Sequence, residues 1–153
     1  MFNPLKLIPT GITTAKDKAD TKVASIALRA PIGLFMLNTG LEKFQADKAT
    51  AEFLQNMAST GLPFVKEMDA ENFAKLIAAS ETSLGAALLL PFVPNRLAGL
   101  GLSTFAAGLL SMYFRNPAMT QSDGIRPTQE GLDLSKNTWL AAIGAALLAL
   151  PKK

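Results

Sequence analysis

Four apolar runs, at residues 23–44, 73–93, 97–114 and 134–150, alternate with polar stretches that hold most of the Lys, Arg, Asp and Glu. A helix rises about 1.5 Å per residue, so runs of roughly 17 to 22 residues span most of a ~30 Å hydrocarbon core. Soluble helices of that length carry a polar stripe, and these runs have almost none. The pattern predicts an all-α fold: an integral membrane four-helix transmembrane bundle with both ends on one side. An Ala- and Leu-rich soluble bundle is the alternative architecture.

The remaining segments fit between these spans. Residues 1–22 read as an N-terminal cytoplasmic arm, with Phe2, Leu5, Leu7 and Ile8 able to rest on a bilayer surface, and residues 23–153 as the transmembrane domain. The first apolar run is too long for the core of a cleavable signal, so it reads as an uncleaved anchor, mildly kinked at Pro31. In the first outer loop, Ala51, Phe53, Leu54, Met57 and Ala58 have helical spacing, and Gly61-Leu62-Pro63 breaks it. This predicts a short amphipathic helix lying at the interface. Asp69 is placed to cap the next helix. Pro94-Asn95-Arg96 is so short a connection that the flanking helices must be antiparallel neighbours.

Basic residues orient the chain. The side of the termini carries Lys6, Lys16, Lys18, Lys22, Arg96, Lys152 and Lys153, more densely than Lys48, Lys66, Lys75, Arg115, Arg126 and Lys136 line the other. Both termini are expected in the cytoplasm.

Composition then narrows the chemistry. The 153 residues include no Cys and no His. Thiolate nucleophiles, disulfide exchange, iron–sulfur clusters, His- or Cys-ligated haem and ordinary zinc sites are excluded. Any redox role therefore depends on a bound cofactor or a partner, and catalysis by the chain's own side chains is not expected. The formal charge of +3 comes without a basic, aromatic-interleaved stripe, so nucleic acid is not an expected partner. The methionines are scattered and read as packing residues, with no metal site.

The candidate chemistry is the charge inside or beside the spans: Arg29, Glu42, Lys43, Glu81 and Lys136. Each costs about 2.5–3.5 kcal/mol near a helix centre, so each should face the bundle and find a partner. A polar pocket in the outer half, built from Asn38, Glu42, Lys43, Glu81 and Lys136, would suit a quinone carbonyl, a lipid headgroup or proton transfer. Arg29 would snorkel to the cytoplasmic headgroups or reach towards Glu81. The plainer reading is a set of interhelical hydrogen bonds. Glu81, the deepest carboxylate, is the first choice for a site residue.

An ordered set of elements resembles the DoxX-like family of small bacterial membrane proteins. The elements are Leu28-Arg29-Ala30-Pro31-Ile32-Gly33, Gly40-Leu41-Glu42-Lys43-Phe44, Gly61-Leu62-Pro63, Glu81 with Gly85 and Leu88-Leu89-Leu90, then Arg96 and Arg126-Pro127-Thr128-Gln129-Glu130-Gly131 before Lys136-Asn137. The resemblance implies four membrane helices in a bacterial inner membrane, with Arg29, Lys43 and Glu81 at recurring charged positions. It also implies association with quinol- or thiosulfate-oxidising complexes or with redox-defence proteins. Many relatives carry a His near the end of the third helix, where this chain has Ser111-Met112-Tyr113-Phe114.

Three functions remain open on this reading. The first is a non-catalytic membrane subunit or assembly factor of a larger respiratory or oxidoreductive complex, in contact with lipid and other membrane subunits. The second is a quinone- or lipid-binding oxidoreductase component centred on Glu81. The third is a small-solute transporter.

Overall fold

The computed structural model describes residues 10–151, with side chains from Ala15 onward. The expectations for Phe2, Lys6 and their neighbours, and for Lys152 and Lys153, lie outside the described residues. The chain is all-helical there, with no strand and one isolated antiparallel bridge between Thr120 and Pro127. In order come α1 (Thr10–Lys43), α2 (Lys48–Gly61), a 3-10 turn (Pro63–Glu67), α3 (Ala70–Leu89), α4 (Asn95–Arg115), α5 (Leu132–Ser135) and α6 (Asn137–Ala149).

The first and last runs differ most from the sequence expectation. α1 begins at Thr10, well inside the expected arm, because residues 12–30 contain neither Gly nor Pro and are rich in Ala and Lys. A fall in hydrophobicity ends a membrane span, but it does not end a helix. The last apolar run is divided into α5 and α6 around Lys136, whose backbone stays helical (φ −62°, ψ −18°). Asp47 and Asp69 accept hydrogen bonds from the backbone N–H of Thr50 and Asn72, at 2.8 and 3.0 Å, and start α2 and α3. The expected cap and the expected amphipathic helix are both present.

α1 packs along α3, α4 packs along α6, and α2 lies against both α3 and α4. Each long helix buries only a narrow seam. On α1 it is Ser25, Arg29, Gly33, Met36 and Gly40; on α3 it is Ala74, Ala78, Glu81, Gly85 and Leu88. Steps of three and four residues are those of helices in near-parallel contact. Small residues set the distance. A Cβ on Gly85 would lie 2.5 Å from the Leu37 nitrogen, and one on Gly99 would lie 2.8 Å from the Gly144 oxygen. Met36, Leu88, Leu102 and Leu147 close the centre, while Ala58, Val65, Phe73 and Met112 form a second cluster under α2.

Many large apolar side chains face outward on the long helices. Val23, Phe35 and Leu97 are each 60% exposed or more, and so is Trp139 on α6. Among the described residues, Ala15–Lys43 and Asn95–Arg115 are long and apolar enough to cross a membrane, with only 28% and 33% of their apolar windows buried. The core helix of a soluble protein would have most of that surface covered.

Candidate functional site

The α1–α3 seam carries a polar centre near each end. Counting from Arg29 to Lys43 at 1.5 Å per residue, they are about 21 Å apart.

At the end of α1 nearer its N-terminus, Ser25 and Arg29 are one turn apart on the buried face. The Arg29 guanidinium uses all of its five N–H groups. Nε donates to the Leu88 carbonyl at 2.8 Å; one terminal nitrogen donates to Ala87 and Leu90, the other to Val93 and to Asn95 Oδ1, at 2.8–2.9 Å. The last carbonyls of any helix lack intrahelical partners, and a cation there also meets the negative end of the dipole. Arg29 thus caps α3 from a neighbouring helix. The Ser25 hydroxyl donates to the same Asn95 Oδ1 at 2.7 Å. Since Asn95 opens α4, one cluster ties α1, α3 and α4 together at the Pro94-Asn95-Arg96 turn.

At the other end, Lys43 in the last turn of α1 meets Glu81 on the buried face of α3. Lys43 Nζ lies 2.8 Å from Glu81 Oε2, and the side chains are 25% and 10% exposed. Antiparallel packing puts Lys43 opposite the middle of α3, so a long flexible side chain reaches a largely buried carboxylate. Next to this pair, Thr82 Oγ1 is buried without a hydrogen-bond partner beside Gly40.

The remaining candidates do not join this pair. Asn38 donates to Glu42 Oε1 at 2.8 Å, one turn along α1, but both residues are exposed. Lys136 turns back to Asp133 at 2.8 Å in an exposed local pair. Arg29 neither snorkels nor reaches Glu81, because the free carbonyls of α3 lie directly across from it. The six candidates are therefore distributed over four places, and only Lys43 and Glu81 bridge two helices at this end of the seam. Ser25 and Asn95 belong to the Arg29 cluster and were not singled out from the sequence. The available signal was a Ser one turn before a membrane Arg, and an Asn in a turn too short to hold it in solvent.

A second arginine acts in the same way: Arg115 donates to the Gly61 carbonyl at 2.7 Å, at the end of α2. The adjoining loop folds on itself. Gly124 adopts a positive φ of 70° in the turn, and the Tyr113 hydroxyl donates to Ile125 O at 2.7 Å, which pins the loop to α4. The guanidinium of Arg126, with the backbone N–H groups of Ile125 and Arg126, holds the Asp123 carboxyl down at about 2.

Two clefts open beside residues 91–96. One, of about 150 Å³, lies between α1 and the end of α3; the other, of about 380 Å³, reaches from Pro91 to Arg96 and Pro151. Among the described residues no group of His, Cys, Asp and Glu could hold a metal ion.

A model of the DoxX family matches residues 24–114, from α1 through the end of α4. No curated protein and no solved structure matches the chain.

Proposed function

The chain belongs to the DoxX family, and on that premise we propose that it is a non-catalytic integral membrane subunit, or an assembly and stabilising factor, of a larger membrane complex. Family membership and the two long apolar helices mark a membrane protein. The finer reading is a four-helix bundle in a bacterial inner membrane, with α1, α3 and α4 as three spans. α5 and α6 together reach about 27 Å and would supply the fourth. The termini would share the cytoplasmic side, and α2 would lie at the opposite interface.

One observation carries this reading. The charged and amide side chains on the buried seams, Arg29, Asn95, Lys43 and Glu81, together with Ser25, are bonded to other parts of the same chain, while Thr82 Oγ1 beside Gly40 is not. They serve packing, and the large apolar side chains outside are left for lipid or for neighbouring subunits. With no Cys or His in the sequence, oxidoreductive chemistry would belong to a partner or to a cofactor that the partner helps to hold. Mild-detergent purification of the tagged chain from its native membrane, followed by mass spectrometry, tests this. Stoichiometric oxidoreductase or respiratory subunits are expected, and recovery of the chain alone would overturn the reading. Because the sequence has no Cys, single cysteines at Lys16 and Gln121 give a clean labelling test of the topology.

A second reading is a quinone- or lipid-binding oxidoreductase component around Glu81. The partial exposure of Lys43 favours it, since a ligand carbonyl could then approach the ammonium. Glu81→Gln would abolish the activity of the parent complex at normal yield on this reading, and would lower yield on the first.

A further inference from the structure

We propose that the cleft between α1 and the end of α3 is a binding site for an anionic phospholipid, with the phosphate at Lys22 and an acyl chain along α1. The inference requires only that the chain lies in a membrane, and it is independent of any partner subunit.

The first argument is electrostatic. Arg29 is 5% exposed, and all five of its acceptors are neutral: four backbone carbonyls and the Asn95 amide. The ion pairs of the described residues involve Lys43, Lys48, Arg126 and Lys136, and none reaches Arg29. The guanidinium is thus hydrogen-bonded but not charge-compensated, in surroundings that screen it poorly. Arg29 lines the cleft, and Lys22 stands at the rim, exposed and without an ion pair among the described residues. Lys18, one turn earlier, adds another exposed cation on that face, while the exposed carboxylates Asp17 and Asp20 lie off the four-residue line that Lys18 and Lys22 share. A cation with its donors already engaged attracts an anion through its field, and Lys22 supplies the hydrogen bonds.

The second argument is the wall. Ile26, Leu89 and Pro91 line the cleft, Ile26 is 56% exposed, and Leu34, two turns further into the apolar stretch, is 60% exposed. Residues 26, 30 and 34 are four apart, so they form one continuous track down the helix. A cationic mouth above an apolar track matches a phosphate with acyl chains, and free phosphate would make no use of the track. The volume of about 150 Å³ corresponds to roughly five waters, which is room for a phosphate group. Basic pockets between membrane helices take anionic headgroups by the same physics.

The experiment is native mass spectrometry of the purified full chain in detergent, with phosphatidylglycerol or phosphatidylcholine of matched chains. Thermal unfolding is run alongside. Phosphatidylglycerol is expected to be retained and to raise Tm, phosphatidylcholine much less. Lys22→Glu should cut that preference at least about fivefold, the effect of one basic residue at an anionic surface. Lys75→Glu, the same charge change on exposed α3 surface at the far end, should leave it intact. Equal retention of both lipids, or a preference that survives Lys22→Glu, would overturn the proposal. Inorganic phosphate that protects as well as the lipid would also overturn it, by showing an anion site with no role for the track.

Discussion

Replacing Arg29 tests the tertiary argument most directly, because two physical effects pull in opposite directions. Arg29→Met keeps the length of the side chain and removes a buried charge without a counter-charge. Such a change often stabilises a protein when both partners of a pair become apolar. Here the acceptors remain: the carbonyls of Ala87, Leu88, Leu90 and Val93, and Asn95 Oδ1, would all lose a donor. Interhelical hydrogen bonds in a bilayer average about 0.6 kcal/mol, so five amount to about 3 kcal/mol. That is a factor of roughly 150 in the folded population. Arg29→Lys keeps the charge at the helix end but offers at most three donors, so at least two bonds go, for about 1 kcal/mol or more. The expected order of stability is parent, then Lys, then Met. Reversible unfolding in mixed micelles, followed by helical circular dichroism, measures it. Asn95→Ala shares the cluster, so its cost should fail to add to that of Arg29→Met by about 0.5 kcal/mol or more. If the Met variant matches or exceeds the Lys variant, charge burial dominates and the capping account is wrong.

Other expectations follow from the same seams. Glu81→Gln leaves the Lys43 ammonium without its carboxylate and should cost about 1.5–3 kcal/mol. Converting both residues to Met should recover most of that loss in the same unfolding assay, and a double variant no better than Glu81→Gln would refute the pairing. Gly40→Ala places a Cβ 2.6 Å from the Thr82 nitrogen, so α1 and α3 must separate at a cost of about 1–3 kcal/mol. Gly108→Ala meets nothing within 4 Å and should stabilise α4 by up to about 1 kcal/mol; equal effects at the two glycines would contradict the packing. The Asp123 carboxyl, held at about 2 by Arg126 and two backbone N–H groups against an ordinary 3.8, has a depressed folded value. Its contribution to loop order is therefore present above about 3.8 and is lost as pH falls through about 2. The Ile125 and Arg126 amide signals should titrate with that midpoint, and a midpoint near 4 would show that the loop is not held by this carboxylate.

Local features were legible along the chain because they depend on neighbours in sequence. The apolar runs gave the helices. Asp69 gave a cap, the spacing of Ala51 to Ala58 gave α2, and the brevity of Pro94-Asn95-Arg96 joined α3 to α4 at one end, although α3 packs along α1 and α4 along α6. The ordered set of Arg29, Lys43, Glu81 and the glycines gave the family. The start of α1 was not legible, since polar Ala- and Lys-rich sequence remains helical after hydrophobicity has fallen. The pairing of charges was not legible either, because it depends on how two helices are rotated and aligned. A shift of one residue turns a side chain by about 100°, which carries a Lys or Arg to a different face of the helix. Close approach at Gly33, Gly40 and Gly85 fixed that alignment. It put Arg29 against the open end of α3 and Lys43 against Glu81, and it left Asn38, Glu42 and Lys136 at the surface. Sequence alone determined that charges within the apolar stretches would need partners; the tertiary structure decided which partners, because only packing sets which polar groups share the same depth and face.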